Sequence, residues 1–121
     1  MQLRCAMIFV KDLERMTRFY RDAIGLAPRP RSRGDDWVEF DAGGAALALH
    51  AIPAELASDI TVTDPPVARE ATPLKLVFEV ADLDAARRHL IDHGAVMFDV
   101  RPWGACDGLD PEGNVFQIAR A

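Results

Sequence analysis

Val10-Lys-Asp-Leu-Glu-Arg-Met-Thr-Arg18 returns seventy residues later as Val80-Ala-Asp-Leu-Asp-Ala-Ala-Arg-Arg88. Valine, aspartate, leucine, an acid and arginine stand in step in the two stretches. A second pair confirms the spacing. Asp41-Ala-Gly-Gly44 precedes an apolar run, and 69 residues on Asp110-Pro-Glu-Gly113 does the same. Two matches at nearly one offset, at opposite ends of a segment, mark an internal duplication of about half the 121-residue chain.

Each copy has the same pattern. Residues 3–10 and 74–80 are apolar, β-rich runs that predict strands. Asp12 and Asp82 then stand where a helix N-cap belongs, and Glu14 and Asp84 place negative charge at the positive end of the helix dipole. Leu13, Met16 and Tyr20 fall on one helical face, as do Leu83, Ala86 and Leu90. Gly25 and Gly94 follow the last turns. Three short strands are expected after each helix, near 27–33, 36–41 and 45–51, then near 95–100, 104–109 and 114–120. The polar stretch 58–73, broken by three prolines, reads as the linker. The expectation is a single α+β domain over 1–121, with module one at 1–57 and module two at 74–121.

Composition limits the functions open to it. Half the residues are hydrophobic, enough for a core without metal or disulfide staples. The net charge of -5 disfavours nucleic acid and anionic membrane, both of which require positive charge. No apolar run approaches the ~20 residues of a membrane span. The start, MQLRCAMIFV, lacks the features of a signal peptide. Two widely spaced cysteines, Cys5 and Cys106, read as reduced thiols in a cytoplasmic protein.

A βαβββ unit used twice, with V-x-D-L opening the helix and D-P-x-G-N before the last strand, resembles the vicinal oxygen chelate superfamily. This is the glyoxalase, bleomycin-resistance and extradiol-dioxygenase group. The resemblance covers essentially the whole chain. It implies two curled mixed sheets around a pocket between the modules, and a homodimer. In metal-dependent members, each module supplies one ligand near the start of its first strand and one on its last. The corresponding positions here are Cys5 and Ala48, then Lys75 and Gln117. Alanine has no donor atom and lysine is a cation at neutral pH. The expectation is therefore no metal and no cofactor.

Strand alternation extends these positions into faces. Met7 and Phe9 accompany Cys5, Val77 and Glu79 accompany Lys75, Ala46 and His50 accompany Ala48, and Val115 and Ala119 accompany Gln117. A mostly apolar face with a few polar groups suits a small organic ligand. The candidate ligand-binding residues are Cys5, Met7, Phe9, Trp37, His50, Lys75, Val77, Glu79, Trp103 and Gln117; no catalytic residue is assigned. Lys75 has three readings: a solvent-reaching lysine, a cation replacing the metal charge, or a partner of Glu79. His89 and His93 have zinc-like i, i+4 spacing but no third ligand. Arg29, Arg31 and Arg33 share a strand face and read as a solvated edge. The leading expectation is a metal-free binder of a small organic molecule, in the style of bleomycin-resistance proteins. The alternative is a lyase, isomerase or dioxygenase with an altered active site.

Overall fold

The structure, a computed structural model, describes residues 1–30 and 34–121. The chain divides into two compact units, Met1–Thr61 and Val62–Ala121. In the first, β1 (Cys5–Val10) leads into α1 (Leu13–Arg18), followed by β2 (Ala27–Pro28), β3 (Trp37–Asp41), β4 (Ala46–Ala51) and a short α2 (Ala54–Ala57). In the second, β5 (Leu76–Val80) leads into α3 (Leu83–Asp92), then β6 (Val96–Arg101), β7 (Ala105–Leu109) and β8 (Val115–Arg120). The strand orders are β1-β4-β3-β2 and β5-β8-β7-β6. In each sheet the first strand lies parallel to the last, while the other pairs are antiparallel. The α+β architecture of two βαβββ modules is thus as the repeat predicts.

The helix starts follow from the capping aspartates. Asp12 accepts a hydrogen bond from the Arg15 backbone N–H at 3.0 Å, and Asp82 from that of Ala85 at 2.9 Å. Each cap satisfies one of the N–H groups that the first turn of a helix leaves without a partner. The Ala85 N–H stabilises the charged carboxylate and holds Asp82 below the usual range. α2 has no counterpart in the sequence reading.

The first helix departs from a uniform 3.6-residue period. After Arg18 it widens into a π-helical turn, Phe19–Ala23, in which Ile24 N–H donates to the Phe19 carbonyl at 3.1 Å. The wider turn brings Phe19, Tyr20 and Ala23 into the core together. A periodicity argument places only Tyr20 there.

The strand expected over 27–33 is seen as the two residues of β2, extended by Arg29 N–H donating to the Glu39 carbonyl at 2.7 Å. β2 is an edge strand, where Pro28 removes no ladder bond from a sheet interior. Arg31 and Arg33 lie outside the described residues, so the stripe read for them with Arg29 does too.

Register assigns the two faces of each sheet. Val10, Val38, Phe40, Leu47 and Leu49 alternate away from Cys5, Met7 and Phe9, with half-buried Ile8 on the same side, and with Met16 and Tyr20 of the helix they form the first unit's core. Leu83 and Leu90 of α3, with Cys106, Phe116 and Ile118, form the second.

The turn before β8 is a built structure. Asp110 is fully buried and accepts from the backbone N–H groups of Glu112 (2.9 Å) and Asn114 (3.0 Å) and from the Asn114 side-chain amide (2.8 Å). Gly113 has φ +84°, and a Cβ there would lie 2.1 Å from the Val67 carbonyl oxygen. Its own carbonyl accepts from Arg69 N–H at 2.8 Å. The segment around 67–69 therefore packs directly on this turn.

Candidate functional site

On the second unit's open face, Val77, Gln117 and Asp107 stand abreast across β5, β8 and β7. Lys75 immediately precedes β5. Its ammonium donates to Asp107 Oδ2 at 3.0 Å, and Gln117 Nε2 donates to Asp107 Oδ1 at 2.9 Å. Both oxygens of the carboxylate are thereby engaged. The pairing with Glu79 considered from sequence is not the one formed. Four strand residues span about 13 Å, beyond the reach of a direct contact along one strand, whereas Asp107 lies two strands across on the same face.

Burial pushes the Asp107 carboxyl up. The hydrogen bonds from Lys75 and Gln117, with the positive charge of Lys75 and Arg101, outweigh it and hold the group below the usual carboxylate range. A folded-state value below the unfolded one makes the contribution to stability complete above about pH 4. It is lost as pH falls through the folded value. Asp107→Asn is therefore expected to flatten the acid limb of the stability curve, measured by urea unfolding between pH 5 and 2; an unchanged limb would remove Asp107 as its origin.

Beside this cluster is a cavity of about 510 Å³, lined by Leu74, Lys75, Phe98, Arg101, Asp107 and Val115 among others. A bulge in β6 between Met97 and Val100 breaks the strand's alternation where Phe98 joins this lining. Of the ten residues expected to bind ligand, Lys75 lines this cavity. Val77 and Gln117 share its sheet face, as does Glu79 one row further along. Trp103 lies apart, in the β6–β7 turn, 72% exposed, with the Arg101 guanidinium 5.8 Å from its ring centre.

The first unit gathers the other five on one face. The rows run Cys5 with Ala46, Met7 with Ala48 and Glu39, and Phe9 with His50 and Trp37. His50 stacks on Phe9 at 5.6 Å and meets Trp37 edge-on at 5.4 Å. Its Nε2 lies 3.2 Å from Asp36 Oδ2. Trp37 is buried, whereas Phe9 is 54% exposed.

Two carboxylates in equivalent places were missed from sequence. Glu39 opposes Ala48 as Asp107 opposes Gln117. Each has a cation: Arg29 reaches Glu39 at 3.0 Å as Lys75 reaches Asp107 at 3.0 Å. Trp37 Nε1 donates to the other Glu39 oxygen at 3.3 Å. The duplication carried this signal at an offset of 68, one short of the adjoining match, because Asp41 ends its strand whereas Asp110 follows one.

The remaining candidates resolve by position. Cys106 is buried, donates its S–H to the Phe98 carbonyl at 3.2 Å, and has its thiol pushed up by burial. His93 Nδ1 lies 2.8 Å from the His89 carbonyl at the end of α3. Among the described residues no group of three or more His, Cys, Asp or Glu is placed to hold a metal.

The residues that the sequence resemblance matches to chelating positions do not fit a metal by their chemistry. In the first unit they are Cys5 and Ala48, and alanine contributes no donor. In the second they are Lys75 and Gln117, where the ammonium is itself a donor committed to Asp107. No helix among the described residues is long and apolar enough to cross a membrane.

Solved structures share this fold over nearly the full chain. An antibiotic-binding protein, TnmS3 from Streptomyces sp. CB03234, is 24% identical with a TM-score of 0.68, covering 99% of this chain and 95% of its own. A glyoxalase/bleomycin resistance protein/dioxygenase family enzyme from Burkholderia phytofirmans PsJN is 23% identical with a TM-score of 0.74, covering 99% and 98%. A protein of unknown function from Agrobacterium tumefaciens str. C58 is 27% identical with a TM-score of 0.72, covering 100% and 94%. No curated protein matches the chain. The family model described as a glyoxalase-like domain matches residues 5–119. With that match over almost its whole length, the chain belongs to the glyoxalase-like domain family, within the vicinal oxygen chelate superfamily.

Proposed function

We propose that the protein binds a small organic molecule without a metal, on the open faces of its sheets. The observation that carries this reading is the Lys75–Asp107–Gln117 cluster: it stands at the positions the resemblance matches to chelating residues, and there the ammonium and the Gln117 amide N–H both donate to a carboxylate of the protein itself. Around it the open faces keep apolar surface for a ligand body. Met7, Phe9 and Val77 are 38%, 54% and 59% exposed. Such surface next to a few fixed polar groups is the composition of a small-molecule site. The antibiotic-binding protein of similar fold is consistent with this. Two free thiols, Cys5 and Cys106, fit the reducing cytoplasm that the proposal includes.

Amide chemical-shift mapping with a library of small aromatic fragments, on protein freed of metal by a chelator, tests the reading. Shifts are expected on β1, β4, β5 and β8. Fragments that bind only after a divalent ion is restored would overturn it.

A further inference from the structure

Building on that reading, we infer that the cavity of the second unit takes a small organic anion, its charged group held by Lys75 and Arg101 and its apolar body laid against Phe98, Leu74 and Val115. Two cations and one carboxylate adjoin the cavity wall formed by the sheet. The carboxylate's charge is already balanced by the Lys75 ammonium at 3.0 Å, and each of its oxygens accepts a hydrogen bond from within the protein, so the net charge of this wall with Arg101 is positive. The cations are less committed. Lys75 uses one of its three N–H groups on Asp107, and its side chain is 42% exposed. The Arg101 guanidinium lies 5.8 Å from the Trp103 ring centre and adds its positive charge to that of Lys75 around Asp107, while among the described residues its fork of N–H donors makes no hydrogen bond to Asp107. Glu70, the other acid of the lining, is exposed to solvent, which screens its charge.

The pairing with Asp107 gives Lys75 a second role. It fixes an ammonium that would otherwise sweep a wide arc, so that less side-chain freedom is lost when a ligand arrives. Arg101 supplies a planar fork suited to a carboxylate or a phosphoryl group. The volume of about 510 Å³ lies within the range of small-molecule sites and far exceeds that of an inorganic ion. That space, with its apolar side walls, argues for an anion carrying a body.

Calorimetric titration at low ionic strength with benzoate, phenyl phosphate and the neutral benzyl alcohol tests the inference. Benzoate or phenyl phosphate is expected to bind at least tenfold more tightly than benzyl alcohol. Arg101→Gln, at an exposed position, and Lys75→Gln are each expected to weaken the anion about tenfold, the loss of one charge-assisted bond, while leaving benzyl alcohol unchanged. Circular dichroism confirms that each variant is folded. Equal binding of the neutral compound, or anion binding indifferent to both variants, would overturn the inference and leave the metal-free reading standing. No binding of any of the three, together with no fragment shifts on β5 and β8, would overturn both.

Discussion

Gly113→Ala is expected to destabilise the second unit by about 3 kcal/mol, through two separate costs. A non-glycine residue in the left-handed region costs about 1–2 kcal/mol, and φ at Gly113 is +84°. The added methyl would also meet the Val67 carbonyl oxygen at 2.1 Å. That atom belongs to backbone and cannot swing aside like the end of a side chain. Moving the 67–69 segment away breaks the hydrogen bond from Arg69 N–H to the Gly113 carbonyl, and overpacking of this kind costs about 1–3 kcal/mol. Urea unfolding gives the loss directly. Hydrogen exchange is expected to place it in β7 and β8, with β1 and β4 protected as before. A variant within about 0.5 kcal/mol of the parent, the range of ordinary surface substitutions, would show that the close approach is not present in solution.

Asp110→Ala is expected to be comparably damaging, by a different route. The carboxylate is fully buried and satisfies two backbone N–H groups and the Asn114 amide. Truncation strands the buried Glu112 N–H and the half-buried Asn114 donors, at about 1–3 kcal/mol for a fully buried unsatisfied group and less for the others. The penalties share one turn and do not add fully, so about 3 kcal/mol in total is expected. Asp110→Asn separates hydrogen bonding from shape. Its side-chain oxygen still accepts from the Glu112 and Asn114 N–H groups, while its amide faces that of Asn114. A loss clearly smaller than that of alanine is expected, measured by the same urea titration. Equal losses in the two variants would mean that packing, not acceptor chemistry, fixes the turn.

Both positions lie in the stretch whose resemblance to Asp41-Ala-Gly-Gly44 exposes the duplication. Much of the fold was legible there. The repeat gave two modules, the capping aspartates gave the helix starts, and alternation gave the faces that register later placed in rows. The sequence was silent where a long-range choice decides. Lys75 has Glu79 four residues on and Asp107 far along the chain, and only the β5-β8-β7 order brings the distant acid onto the same face. The π-helical turn at Phe19–Ala23 was hidden for a related reason. Periodicity marks which residues share a helix face, and nothing in it announces where a turn widens from 3.6 residues. Trp37 and Trp103, both read as lying near strand ends, separate into a buried ring against His50 and an exposed one near Arg101.

The chelating positions were legible as positions, while what they do instead was not. Counting back from the capping aspartates yields Cys5 and Lys75, and counting on from the turns before the last strands yields Ala48 and Gln117. It does not reveal that Lys75 and Gln117 converge on a third residue, because Asp107 belongs to neither strand. The result is an ionic and hydrogen-bonded bridge within one sheet, across positions that the sequence resemblance matches to chelating ones.

Calorimetric titration of the chelator-treated protein with zinc, manganese and nickel tests that central claim most directly. The expected result is no stoichiometric binding, with the urea midpoint unmoved by each ion. One equivalent bound tightly, raising the midpoint and abolished by Gln117→Ala, would contradict it.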